Sequence, residues 1–75
     1  MKTFSIMLDS IDKVKKFVNI VAACNYDVDL TSGRYVVDAK SIMGIFSLDL
    51  SKPIKLDVYG DDDSFESKIK EFIAE

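Results

Sequence analysis

The sequence predicts an α+β fold, an open-faced sandwich in which a four-stranded antiparallel sheet carries helices on one face. Three segments alternate apolar and polar residues with the period of two that is typical of half-buried strands, and a fourth is rich in β-forming residues. Three other segments repeat apolar residues at helical spacing, which gives the order β-α-β-β-α-β-α. The connections are short, and short connections favour antiparallel neighbours and helices that share one side of the sheet.

The first strand and the first helix follow each other directly. Residues 2–8 alternate apolar and polar side chains, which predicts a strand with one buried face. Asp9 or Ser10 then offers a side-chain oxygen that can accept a hydrogen bond from a free amide of the first helical turn. We expect the helix to end near Asn25. Its predicted apolar face consists of Ile11, Val14, Phe17, Val18, Val21 and Ala22.

Two runs of β-forming residues in the middle of the chain predict a hairpin. Residues 26–31 and 34–37 flank the dipeptide Ser32-Gly33. Gly33 supplies the positive φ that a tight turn needs. This structural role is sufficient, so we assign no phosphate-binding role to this lone glycine.

A short helix and a fourth strand follow the hairpin. Residues 39–48 place apolar side chains at helical spacing, and Ser41 is positioned to cap the segment. Pro53 introduces an alternating run over residues 54–59. Proline is tolerated at the start of a strand because its missing amide need not interrupt the ladder.

The acidic run at residues 60–63 predicts the start of the last helix, since negative charge is favoured at a helix N-terminus. Asp63 and Glu66 resemble a capping box, and Glu66 is placed to face Lys70 one turn later. The predicted apolar stripe of this helix consists of Phe65, Ile69, Phe72 and Ile73.

Composition narrows the classes of function. The chain has 75 residues, of which 48% are hydrophobic and 31% charged, as expected of one compact domain over residues 1–75. A chain this short buries only about 60% of its unfolded surface, which disfavours a deep enzyme pocket. The net charge of −3 disfavours direct nucleic-acid binding. There is no histidine, so phosphohistidine, imidazole-base and histidine-metal chemistry are excluded.

The single cysteine and the hydropathy pattern indicate a cytoplasmic protein. Cys24 has no intramolecular partner, which fits a reducing compartment and excludes both a disulfide framework and a cysteine zinc site. No apolar stretch reaches transmembrane length, and the first residues lack the apolar core of a signal peptide. We therefore expect no metal, no cofactor and no membrane partner.

One segment of the chain resembles a known family. The run Ala39-Lys40-Ser41-Ile42-Met43-Gly44-Ile45-Phe46-Ser47-Leu48 is similar to the regulatory-serine segment of HPr, the phosphocarrier of the sugar phosphotransferase system. The predicted order of elements also matches the HPr fold. The resemblance therefore implies an HPr-like open-faced sandwich and a protein that is not an enzyme.

The resemblance also implies roles for individual residues. Ser41 matches the serine that HPr kinase/phosphorylase modifies in Gram-positive bacteria, and Ile42 and Met43 match a hydrophobic docking patch. We expect Lys40 and Phe46 to take part in partner binding as well. A phosphate at a helix start meets free backbone amides, which supports this interpretation. The purely local alternative makes Ser41 only a helix cap and Met43 only a gap-filling core residue.

The sequence departs from HPr where the carrier histidine would lie. In HPr the loop after the first strand holds that histidine, followed shortly by an arginine and a proline, whereas residues 8–15 contain none of the three. The resemblance thus indicates a histidine-lacking, Crh-like divergent member, a serine-phosphorylated corepressor or adaptor in carbon catabolite control. Its implied partners are HPr kinase/phosphorylase and a catabolite-control transcription regulator. The alternatives are a phosphotransferase component with another acceptor, such as Asp9, and a protein-binding domain that works without phosphorylation.

Overall fold

The computed structural model describes residues 2–74, and it confirms the predicted α+β fold and its order of elements. A short 3-10 helix follows the last α-helix at Lys70–Phe72. The strands are β1 (Lys2–Ile6), β2 (Asp27–Ser32), β3 (Tyr35–Asp38) and β4 (Ile54–Tyr59). The helices are α1 (Ile11–Ala22), α2 (Ile42–Phe46) and α3 (Phe65–Lys68).

The four strands form one antiparallel sheet in the order β1-β4-β2-β3. Its register places Leu56 between Phe4 and Leu30, so apolar side chains of neighbouring strands lie side by side on the face that the helices cover. The opposite face is polar. Asp57 belongs to that face, yet it is buried. The cost of burying its carboxylate is offset by a hydrogen bond from the Thr3 hydroxyl at 3.0 Å and by the Lys55 ammonium at 3.8 Å.

The hydrophobic core lies between this sheet and the helices. Phe17 of α1 meets Phe72 edge to face, with ring centroids 5.7 Å apart. Full burial of one such large apolar side chain stabilises the fold by roughly 2–3 kcal/mol. The core consists of Ile6, Leu8, Val14, Phe17, Val21, Val28, Leu30, Ala39, Ile45, Leu48, Ile54, Leu56, Val58, Phe65, Ile69 and Phe72.

The start of α1 distinguishes between the two predicted caps. The Ser10 hydroxyl oxygen accepts a hydrogen bond from the Lys13 amide over 3.1 Å, so Ser10 is the cap. Asp9 instead forms an ion pair with the Lys13 ammonium at 2.8 Å. Ile11 was predicted on the buried face, but it is 62% exposed because it occupies the first helical position, beyond the edge of the core.

Helix α1 ends at Ala22, three residues before the predicted end near Asn25. The amides of Ala23 and Cys24 bond to carbonyls only three residues earlier, at 3.3 and 3.0 Å, which tightens the last turn and ends the helix. Ala22 is exposed, so the prediction that it lies on the buried face of α1 is also wrong.

The last helix differs most from its prediction. The capping box is wrong, because Ser64 occupies the cap position without a side-chain capping bond. Asp62 provides the side-chain hydrogen bonds just before this helix. Its carboxylate accepts hydrogen bonds from the Ser64 amide at 3.0 Å and from the Ser64 hydroxyl at 2.6 Å. The helix lasts one turn, and no Glu66–Lys70 ion pair forms within residues 2–74. The buried stripe of Phe65, Ile69 and Phe72 is nevertheless confirmed.

The C-terminal segment covers one edge of the sheet. Strand β1 ends at Ile6 rather than at the predicted Leu8, and the chain after the 3-10 helix runs alongside it. The Met7 amide donates to the Phe72 carbonyl at 2.7 Å, and the Ala74 amide donates to the Ser5 carbonyl at 2.8 Å. Strand β3 forms the opposite edge.

Candidate functional site

Ser41 lies on the surface at the first turn of α2. Its backbone is extended, with φ −98° and ψ 104°, and its side-chain oxygen accepts a hydrogen bond from the Gly44 amide over 3.2 Å. The predicted capping role is therefore confirmed. The residue is exposed at the same time, so the hydroxyl that caps the helix lies at the protein surface.

The connection between β3 and α2 holds Ser41 in a fixed position. Asp38 accepts the Lys40 amide on its carboxylate and the Ser41 amide on its carbonyl, both at 2.9 Å. Ala39 is completely buried, and its amide donates to the Val28 carbonyl of β2. The serine is thus anchored to the sheet by the three residues that precede it.

Lys40 links the two helices that flank the site. Its ammonium group donates a hydrogen bond to the Cys24 carbonyl over 3.1 Å, just beyond the C-terminus of α1. A cation is favoured there because the last carbonyls of a helix carry partial negative charge. The lysine next to Ser41 therefore already contributes to the packing of α1 against α2.

Helix α2 presents apolar side chains to solvent as well as to the core. Ile45 is fully buried, and Ile42 packs partly against the core. Met43 is 78% exposed and Phe46 is 41% exposed. They lie three residues apart, so they project from neighbouring positions on one side of the helix. The interpretation of Met43 as a gap-filling core residue is wrong.

The connection between β1 and α1 contains no histidine, and its polar side chains are engaged in the fold. The hydrogen bond from Lys13 and the charge of that lysine lower the pKa of the Asp9 carboxyl. Ser10 is the helix cap. Residues 2–74 contain no group of three or more His, Cys, Asp or Glu that could hold a metal ion.

A polar network behind the site was not predicted from the sequence. The Tyr26 hydroxyl donates to the Asp62 carboxylate at 2.9 Å, and the Cys24 thiol lies 3.4 Å from the same hydroxyl. Burial and these two neighbours raise the pKa of Tyr26, while hydrogen bonds from Ser64 and Tyr26 lower the pKa of Asp62. No sequence spacing signals a contact between residues 36 positions apart. Cys24 is half-buried, as expected of a structural thiol.

A surface groove of about 500 Å³ contains none of the predicted site residues. It is lined by Asp63, Glu66, Ser67, Lys70 and Ile73. No helix within residues 2–74 is long and apolar enough to cross a membrane.

The four-stranded sheet with its three helices, taken together with the family comparison, places the chain in the phosphotransferase-system phosphocarrier class. Residues 13–75 match the PTS-HPr family, described as the PTS HPr component phosphorylation site. The chain therefore belongs to the HPr family, whose members are phosphocarriers rather than enzymes. The matched range begins after the connection between β1 and α1.

Solved structures agree with this assignment. The crystal structure of HPr-C-His from Thermoanaerobacter tengcongensis is 29% identical, with a TM-score of 0.73 over 93% of this chain and 97% of that one. A phosphocarrier protein HPr from Bacillus anthracis str. Ames is 23% identical, with a TM-score of 0.65 over 93% of this chain and 87% of that one, and supports the fold alone. No curated protein sequence matches the chain.

Proposed function

We propose that this chain is a regulatory member of the HPr family that acts in the cytoplasm through phosphorylation of Ser41. In this role it is a Crh-like corepressor or adaptor in carbon catabolite control. The observation that carries the proposal is the position of Ser41: an exposed hydroxyl at the start of a helix that also presents Met43 to solvent. The absence of histidine from the sequence removes the imidazole that a carrier in this family uses.

A phosphate on Ser41 is compatible with the helix that it would modify. Phosphorylation adds about 1.5 to 2 negative charges and three acceptor oxygens. The Gly44 amide already points at the Ser41 side chain over 3.2 Å, so a phosphate oxygen can replace the hydroxyl as its acceptor. Ser47, at the other end of the helix, donates its hydroxyl to the Gly44 carbonyl. A phosphate there would face carbonyl oxygens, which repel it.

The docking surface in this proposal combines the phosphate with the exposed side of α2. Met43 and Phe46 would contribute apolar area, and Ile42 would support them from its partly buried position. Lys40 borders the surface and fixes its orientation through the Cys24 carbonyl. A catabolite-control transcription regulator that reads the phosphoserine with cationic side chains and covers Met43 fits this arrangement.

The direct test is incubation of the chain with HPr kinase/phosphorylase and ATP, followed by mapping of the phosphate by mass spectrometry. We expect modification at Ser41 and its loss in the Ser41→Ala variant. Ser47→Ala is the matched control, because Ser47 caps the opposite end of α2 and is also exposed to solvent. An unmodified Ser41 in a kinase preparation that phosphorylates a conventional HPr would remove the regulatory proposal.

The exposure of Met43 also supports a second candidate, a binding domain that works without phosphorylation. The two candidates separate in a pull-down with a regulator of this class. Loss of binding in Met43→Asp with no effect of Ser41→Ala or Ser41→Asp favours the second candidate. Loss in both Met43→Asp and Ser41→Ala favours the first.

A further inference from the structure

One edge strand of the sheet is covered by another segment of the chain, and the other edge strand is not covered by a strand within residues 2–74. The outer edge of β1 is covered by the C-terminal segment through backbone hydrogen bonds at Ser5 and Phe72 and through the pairing of Ile6 with Ile73. Strand β3 pairs only with β2, so one side of its backbone has no strand partner within residues 2–74. Such an edge is a template for another strand.

The geometry of the hairpin determines which backbone groups face outward. The loop is two residues long, Ser32 lies opposite Tyr35, and Gly33 alone has a positive φ, of 60°. This is the pattern of a type II′ turn, in which the closing pair is hydrogen-bonded. Hydrogen-bonded and non-hydrogen-bonded pairs alternate along an antiparallel ladder, so the amide and carbonyl of Val36 point away from β2.

Strand β3 lacks three of the features that commonly protect an edge strand from pairing. Soluble proteins commonly protect an edge strand with lysine, proline or a bulge. Strand β3 reads Tyr35-Val36-Val37-Asp38 and has none of these. Tyr35 is 70% exposed and Val36 is 62% exposed, on opposite faces of the strand. The edge thus offers the exposed side chains of Tyr35 and Val36 together with the outward-facing amide and carbonyl of Val36. The Asp38 carbonyl already accepts the Ser41 amide.

We propose that β3 pairs antiparallel with β3 of a second copy of this chain, about a two-fold axis at Val36. The sequence from Arg34 to Asp38 is complementary to itself in this register. Val36 meets its own counterpart and exchanges two backbone hydrogen bonds with it, while Tyr35 lies opposite Val37 of the second copy. Arg34 lies opposite Asp38 of the second copy, twice, so charges of opposite sign meet at both ends.

The surroundings of β3 are compatible with this pairing. Asp38 holds the Lys40 amide through Oδ1, and within residues 2–74 its Oδ2 accepts no hydrogen bond, so that oxygen is available to an arginine of the second copy. Helix α2 follows the C-terminal end of β3. In an antiparallel pair the two C-terminal ends point in opposite directions, so the two α2 helices lie at opposite ends of the joined strands.

Sedimentation equilibrium from micromolar to low millimolar concentration tests the proposal. We expect the average mass to rise from 8.4 kDa towards twice that value. Val36→Lys places two positive charges across the axis and is expected to weaken association at least about tenfold, which corresponds to about 1.4 kcal/mol. Val36→Thr keeps a β-branched side chain without charge and is the matched control. Far-UV circular dichroism verifies that each variant is folded.

A charge exchange tests the register. Arg34→Glu alone and Asp38→Lys alone each place like charges opposite one another, so each is expected to remain monomeric. An equimolar mixture of the two variants pairs opposite charges at both ends and is expected to associate. A wild-type chain that stays monomeric at low millimolar concentration overturns the proposal. So does association that Val36→Lys leaves unchanged, or a mixture that associates no better than its components.

Discussion

Gly60→Ala tests the packing around Tyr26, whose hydroxyl forms the polar network with Cys24 and Asp62. Gly60 follows β4 directly, and a Cβ atom at this position would lie 2.5 Å from Cγ, 2.8 Å from Cδ2 and 2.9 Å from Cβ of Tyr26. These distances are too short, so the tyrosine ring must move. Its movement strains the hydrogen bond from its hydroxyl to Asp62 and the edge-to-face contact with Phe65, whose ring centroid lies 6.1 Å away.

The expected cost combines three effects. Overpacking costs about 1–3 kcal/mol. Loss of the hydrogen bond from Tyr26 to Asp62 adds about 0.5–1.5 kcal/mol. The lower entropy of the unfolded alanine chain offsets about 0.4–1 kcal/mol, since Gly60 does not have a positive φ. The net loss in the free energy of unfolding is therefore roughly 2 kcal/mol, within a range of about 0.5–4 kcal/mol.

Urea denaturation of a double-mutant cycle measures this cost. In a Tyr26→Ala background Cγ and Cδ2 are gone and only the 2.9 Å contact with Cβ remains, so Gly60→Ala is expected to cost clearly less, about 1 kcal/mol. Gly33→Ala is the control: no atom lies within 4 Å of its added Cβ, and the loss of about 1–2 kcal/mol comes from the positive φ alone, so it should not depend on Tyr26. Equal costs of Gly60→Ala in both backgrounds would refute the packing argument.

Three further predictions concern the fold around the site. Ser10→Ala removes the acceptor of the Lys13 amide and should lower the free energy of unfolding by about 1 kcal/mol in urea denaturation, whereas no change would contradict the assigned cap. Phe17→Ala leaves a cavity in the core and should cost about 3–5 kcal/mol, or prevent folding. The lowered pKa of Asp62 means that its ionised form stabilises the fold above the ordinary value of 3.8 and that this contribution is lost as the pH falls through the lower folded value. Asp62→Asn, which keeps an acceptor for the Tyr26 hydroxyl, should therefore flatten the decline of the denaturation midpoint below about pH 4, and an unchanged acid profile would contradict this role.

The sequence predicts the order of elements because most of them carry their own signal. The period of two in β4 and most of the buried positions of α1 follow from local pattern, and Ser41 is recognisable as a cap for the same reason. For α1 the sequence left Asp9 and Ser10 as alternative caps, and the structure selects Ser10. Prediction fails where tertiary contacts decide. Ile11 has the right spacing for the buried face, but it lies beyond the sheet and stays exposed.

At the candidate site, too, local features follow from the sequence and tertiary contacts do not. The position of Ser41 at a helix start is a local property, and it is confirmed. The exposure of Met43 depends on which side of a five-residue helix meets the core. Four of the five residues of α2 are apolar, so the sequence pattern does not define a buried face. The bond from Lys40 to the Cys24 carbonyl and the bond from Tyr26 to Asp62 join distant segments. Neither bond leaves a periodic trace in the sequence.

The most direct test of the proposed function is to measure how much phosphate Ser41 accepts. Intact-mass measurement after incubation with HPr kinase/phosphorylase and ATP gives the stoichiometry, and fragmentation gives the position. We expect one phosphate per chain, on Ser41, retained in Ser47→Ala and abolished in Ser41→Ala. No phosphate on the wild-type chain, or a phosphate that persists in Ser41→Ala, would contradict it.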